Sequence, residues 1–440
     1  MMKGFILASP SSGAGKTIVT LSLLRTLKNR GIDVVPAKAG PDYIDPTFHQ
    51  AACGIKSINL DAWGMRSSFV KALVADIMQD GMFLVIEAMM GLFDGAANST
   101  GSSAMLARML GFPIILVIDC VKLSHSAAAL VHGFASYWPD INIAGLILNK
   151  VNSDRHEIML CDALAPLNIP VIGVFRRSEA FILPERYLGL IQASEYNKLE
   201  NFIDSAARIA ASRMNVEKLL YIGGLVEKKN SSLSSSIPYF APLGDHIAVA
   251  RDDAFRFSYP HILTGWRNCG ATISFFSPLA NEGPAIDANA IYLPGGYPEL
   301  YAGKLANAFH FRTAMQKAAE KKHVIYGECG GYMVLGHALE DAHGISHKML
   351  GLLPLITDFR SPKLHLGYRR LEQMSGFLKQ KNLRGHEFHY AATLWQGNTA
   401  PLFRVRDALD NSFGTIGLQK GSVAGSFVHV LDIEDDIISS

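Results

Sequence analysis

Short apolar runs alternate with amphipathic stretches from the first residues onward. GFILAS, DVVPAK, FLVIEA, IILVID and IAGLILNK each read as a buried strand, and the run from Lys16 to Arg30 has the spacing of a helix. Strands of four to eight residues separated by helical patterns are the signature of βαβ units and a parallel sheet. The first half is therefore expected to be a doubly wound α/β unit. A second series, HIAVARD, ATISFFSP, AIYLPGG and HVIYGECGG, predicts another α/β unit. Between them EKKNSSLSSSIPYFAPLG turns polar and serine-rich and ends in prolines, the texture of a linker. The expected organisation is a first domain over 1–226, a linker over 227–243 and a second domain over 244–440.

The chain has 440 residues, enough for two full cores, with 49% hydrophobic and 18% charged residues and a formal net charge of +2. That balance gives no ground for a nucleic-acid or membrane-surface partner. The five cysteines are widely spaced and form no CxxC pair, which argues against a disulfide framework or a zinc site and fits a reducing cytoplasm. No apolar run is long enough to span a bilayer.

Ser11-Ser12-Gly13-Ala14-Gly15-Lys16-Thr17 follows the strand GFILAS and opens a helix, the context a phosphate-binding loop requires. Backbone N–H groups from Ser12 to Gly15 would close on phosphate oxygens, Lys16 would reach the β- and γ-phosphates, and Thr17 would offer a hydroxyl to Mg²⁺. Pro10 stands where the first glycine usually is. Acidic residues recur at later strand ends: Asp42 and Asp45 in GPDYIDP, Glu87 closing FLVIEA, and Asp94 in MGLFDG. Ligands of open α/β sheets sit at that edge, and hard oxygen donors there suit Mg²⁺.

Gly327-Glu328-Cys329-Gly330-Gly331 follows the strand HVIY and precedes YMVLGHAL, read as a helix. Strand, tight glycine turn and helix make the context of a nucleophile elbow. A Cys329 thiolate, favoured by the helix start and a histidine, would attack an amide carbonyl. The LPGGY loop, through Gly296, and the Gly330 N–H would serve the oxyanion, and His429 of GSFVH would be the base.

These motifs, in this order, resemble the cobyrinic acid a,c-diamide synthases. The resemblance is carried by PSSGAGKT, GPDYIDPTFH, LDAWGM, IEAMMGLFDG, LNKVNSDRHE, LPERYLGLIQASE, IAVARDDAFRFSY, LPGGYPEL, ECGGYMVLG, KLHLGYR, GHEFHYA and GSFVHV. ECGGYMVLG and GHEFHYA look closer to the aerobic branch, whose members act on hydrogenobyrinic acid. The resemblance implies a dethiobiotin-synthetase-like P-loop domain joined to a class I glutamine amidotransferase domain. It further implies ATP as cosubstrate, Mg²⁺ at Thr17, Asp42, Asp45 and Glu87, and a corrinoid acid bordered by Asp45 and Asp94. Cys329 and His429 would release ammonia from glutamine, and ATP would convert the c and then the a carboxylate into an acyl phosphate for that ammonia. A homodimer is compatible with it.

The chain departs from the family at Ala88, where glycine is usual, at Tyr187, where histidine is usual, and before the LPER motif, where the usual Arg-Asp pair is lost. Many class I relatives carry a glutamate two residues after the histidine; here that residue is Leu431, leaving Glu387 of GHEFHY as a candidate partner for His429. The competing readings are a sister amidoligase, of the cobyric acid or nickel-sirohydrochlorin type, and a P-loop ATPase switch. Ser11, where the switch group has lysine, opposes the latter.

Overall fold

A computed structural model of the chain describes residues 2–78, 81–177, 185–186, 189–190, 193–224 and 237–434. The chain divides into two compact units, Met1–Trp63 with Ser67–Ile237, and Gly64–Arg66 with Pro238–Ser440. The sequence expectation did not assign Gly64–Arg66 to the second unit. The side chain of Arg66 explains the grouping: its Nε and Nη2 donate to the two oxygens of Asp432, at 2.9 and 3.0 Å. Most of the expected linker and half of LPERYLGL, including Tyr187, lie outside the described residues.

The first unit is built on seven strands: β1 (Lys3–Ala8), β2 (Val34–Ala39), β3 (Ile58–Leu60), β4 (Phe83–Glu87), β5 (Ile114–Asp119), β6 (Ile143–Val151) and β7 (Val171–Arg176). They lie parallel in the order β3-β2-β4-β1-β5-β6-β7. Phe5, Ile6, Leu7 and Ala8 of β1 are fully buried, as continuous apolar runs require when both faces of a sheet are covered. Helix α1 (Lys16–Asn29) follows β1, and α2 (Asp45–Cys53) follows β2.

The second unit has a ten-stranded sheet, half parallel and half antiparallel. Its parallel half runs Thr272–Phe276, His246–Ala250, Ala290–Leu293, Val324–Glu328 and Val423–Ser426. The antiparallel half continues through Ser412–Lys420, Ala400–Arg406, His365–Gln373 and Asn382–His389 to Val428–Ile433. The helix read into YMVLGHAL is shorter than expected. It spans Gly330–Leu335, Gly336 leaves it in an extended conformation, and Ala338–Glu340 is already a strand. Among the described residues no helix is long and apolar enough to cross a membrane.

Candidate functional site

In the first unit, β1, β2 and β4 are neighbours, so the loops after them share one edge of the sheet. Between β1 and α1 the backbone passes through left-handed conformations at Gly13 (φ 78°) and Gly15 (φ 86°), which side chains disfavour. A Cβ on Gly15 would also lie 2.3 Å from Nδ2 of Asn149. Lys16, the first residue of α1, donates from Nζ to Ser9 Oγ at 2.8 Å and to the Met90 carbonyl at 2.6 Å. Burial lowers its pKa to about 8, against the pull of Glu87.

The acidic residues gather around a group the sequence reading missed, the buried Lys38 at the end of β2. Its ammonium donates to Asp45 Oδ2 at 2.5 Å and Glu87 Oε1 at 3.0 Å, and lies 3.8 Å from Asp42 Oδ2. Burial alone would discharge it, but the three carboxylates outweigh burial and hold it charged. Glu87 also accepts from the Thr17 hydroxyl at 2.6 Å and from His49 Nε2 at 2.8 Å. Although burial opposes its ionisation, Lys38, His49 and Thr17 keep its carboxyl well below the usual range. Burial and the neighbouring Asp42 push Asp45 the other way.

Asp42 is in addition a turn residue, its Oδ1 accepting from the Ile44 and Asp45 N–H groups at 2.8 and 3.1 Å. Asp94 is exposed, accepts from the Gly91 N–H at 2.9 Å and acts on Lys16 through its charge. Ser12 lies exposed on the rim of the loop. The structure therefore brings Lys16, Thr17, Asp42, Asp45 and Glu87 together and adds Lys38 and His49. A hydroxyl and three carboxylates are the kind of hard oxygen donors Mg²⁺ takes, but here Asp42, Asp45 and Glu87 close on the Lys38 ammonium. Among the described residues the acidic and histidine side chains grouped tightly enough for one ion are His365, Glu387 and His389 of the second unit.

In the second unit, Val324–Glu328 runs into Cys329, whose backbone (φ 47°, ψ −106°) lies where side chains are strained. Small neighbours make the turn possible: a Cβ on Gly330 would stand 2.9 Å from the Gly296 N. The two glycines predicted to serve the oxyanion are thus adjacent. A Cβ on Gly295 would lie 3.3 Å from Cys329 Cβ, 2.4 Å from His429 Cε1 and 3.3 Å from His429 Nε2. Cys329 and His429, 100 residues apart in the chain, flank one glycine.

Both groups are buried, and this changes the expected charge state. Burial pushes the Cys329 thiol up, Glu299, Glu328 and Glu387 add to the shift, and the Gly330 N–H only partly opposes it. Burial likewise lowers His429 to about 3, helped by His386 and His389. Burial thus favours the neutral thiol and the neutral imidazole, against the helix start and the histidine expected to favour the thiolate. Glu387 is not turned to His429; it pairs with Arg369 Nη2 at 2.7 Å and with His389 Nε2 at 3.0 Å. The carboxylate nearest to His429 Nδ1 is that of Glu328, at 3.8 Å. All five cysteines are free.

Comparison with known proteins agrees with this division. Residues 5–190 match the CobQ/CobB/MinD/ParA nucleotide binding domain and residues 246–436 the CobB/CobQ-like glutamine amidotransferase domain. Proteins named hydrogenobyrinate a,c-diamide synthase match nearly end to end. That of Brucella anthropi is 54% identical over 98% of this chain and 99% of its own length. That of Rhizobium meliloti is 51% identical over 99% and 100%, and that of Mesorhizobium japonicum 45% identical over 98% of each. With a P-loop unit and a cysteine–histidine unit on one polypeptide, the chain is a glutamine-dependent amide-forming ligase and belongs to the hydrogenobyrinate a,c-diamide synthase family.

Proposed function

We propose that the chain amidates the a and c carboxylates of hydrogenobyrinic acid, or of its cobalt-containing counterpart, using ATP and the amide nitrogen of glutamine. The observation that carries the nitrogen-supplying half is the convergence of Cys329 and His429 on Gly295. His429, neutral at physiological pH, takes the thiol proton as Sγ attacks the glutamine δ-carbonyl. Backbone N–H groups of Gly296 and Gly330 receive the developing oxyanion. Collapse expels ammonia with the proton that His429 returns, and water, deprotonated by His429, then hydrolyses the thioester to glutamate.

In the first unit Lys16 and the N–H groups around Gly13 and Gly15 hold the ATP phosphates. Thr17, Asp42, Asp45 and Glu87 would hold Mg²⁺, which when bound offsets phosphate charge. A corrinoid carboxylate, bordered by Asp45 and Asp94, attacks the γ-phosphorus and ADP leaves. Lys38 is the cation that balances charge beside the transferred group. Ammonia then attacks the acyl phosphate carbon, and inorganic phosphate departs with the carboxyl oxygen.

Mass spectrometry of the purified chain with Mg-ATP, glutamine and hydrogenobyrinic acid, with cobyrinic acid in parallel, tests this reading. Two successive losses of about 1 Da, as OH becomes NH₂, are the expected result. Glutamine hydrolysis with neither corrinoid changed would assign the ligase unit to another acid, such as the sister tetrapyrrole substrates.

A further inference from the structure

Two residues after the base histidine, the strand Val428–Ile433 carries Leu431, which offers no carboxylate. The second unit supplies a carboxylate from a different strand. Glu328, which ends Val324–Glu328 and immediately precedes Cys329, is buried with Oε2 at 3.8 Å from His429 Nδ1. Its carboxylate is fixed on both oxygens: Tyr292 Oη donates to Oε2 at 2.7 Å, and the Val430 N–H donates to Oε1 at 3.1 Å. Val430 adjoins His429, so the same strand that carries the imidazole also anchors the carboxylate.

We propose that Glu328 is the positioning residue of the glutaminase site, its carboxylate lying beside Nδ1 of His429 and orienting the ring so that Nε2 faces Cys329. This inference rests on the glutaminase reading above. Both thiol and imidazole begin neutral, so the base becomes an imidazolium only as Sγ attacks. A carboxylate set beside Nδ1 stabilises that developing charge and fixes the tautomer in which Nε2 accepts. A standing negative charge in a buried site is costly, and burial raises Glu328 to about 7, with Tyr292, Val430 and Tyr326 limiting the shift. The other groups facing this pair are His386, His389 and Glu387, which act on His429. Glutaminase activity is therefore expected to rise through an acidic limb near neutrality as Glu328 ionises.

The test compares glutamine hydrolysis by the full-length wild type, Cys329→Ala, Glu328→Gln and Tyr292→Phe across pH 5 to 9. Glu328→Gln is expected to lower kcat by about 10²-fold with KM for glutamine little changed, and to abolish the acidic limb. Tyr292→Phe removes a hydrogen bond that favours the charged carboxylate, so it is expected to move that limb to higher pH. It also keeps the proposal open to refutation if Glu328→Gln fails to fold. An unaltered rate in Glu328→Gln, or a loss with the wild-type pH profile retained, overturns the proposal, as does an unmoved limb in Tyr292→Phe. If instead Cys329→Ala hydrolyses glutamine like the wild type, the glutaminase reading itself fails.

Discussion

The two units build their sites in opposite ways. Around Lys38 the first unit concentrates charge: two ammonium groups, three carboxylates and a histidine, in which opposite charges offset burial while Lys38 opposes Lys16 and Asp42 opposes Asp45. Around Cys329 the second unit keeps its reactive pair neutral and relies on shape, with glycines bringing backbone within contact distance. The difference follows from the chemistry each must do. A unit handling ATP meets a standing polyanion and needs compensated charge ready for it. A thiol–imidazole pair creates its charge only during the reaction, in a dry site where geometry decides the rate.

Breaking each side of this contrast should give different signatures. His429→Ala removes the base and is expected to lower glutamine hydrolysis by about 10²–10⁴-fold, measured as glutamate release, while amidation driven by added ammonium persists. Lys38→Met is expected to act on stability as well as chemistry. It strands buried carboxylates and should cost on the order of 3–5 kcal/mol in a denaturant titration, whereas glutamine hydrolysis below the unfolding transition is spared. Gly295→Ala adds no charge, only a Cβ 2.4 Å from His429 Cε1. A displacement of this kind is expected to cost about 10²-fold in glutaminase kcat with ATP hydrolysis unaffected.

A last test sharpens the comparison through pH. His429 is held neutral down to about 3, whereas a free histidine titrates near 6.5, so the unfolded chain binds the extra proton as pH falls. The wild type therefore loses stability relative to His429→Gln between about pH 6.5 and 3. The difference in Tm between variant and wild type should move in the variant's favour over that window. A constant difference would mean that His429 is not buried in its neutral form.

What was legible in the sequence was whatever is contiguous. The phosphate loop, GPDYIDP, GECGG and LPGGY each carry their chemistry within a few residues of a strand end, so strand–loop–helix context located them. Lys38 was hidden because a lysine closing an apolar strand reads as a solvated end; only the packing of β2 against β4 brings it to Glu87, 49 residues away. His49 sits inside a helix and meets Glu87 from the far side of the same cluster. Glu328 lay inside a quoted motif but read as a spacer before the nucleophile, since its facing of His429 depends on a strand 100 residues later. The upward push on the Cys329 thiol was hidden for a related reason: a helix start was visible in the sequence, while the burial that opposes it was not.

The central claim is that the second unit supplies ammonia to the first. Its most direct test is Cys329→Ala with Mg-ATP and hydrogenobyrinic acid, amide formation being followed by mass spectrometry with glutamine or with ammonium chloride as the nitrogen source. The account predicts no product with glutamine and diamide with ammonium. Diamide formed from glutamine by this variant would contradict it.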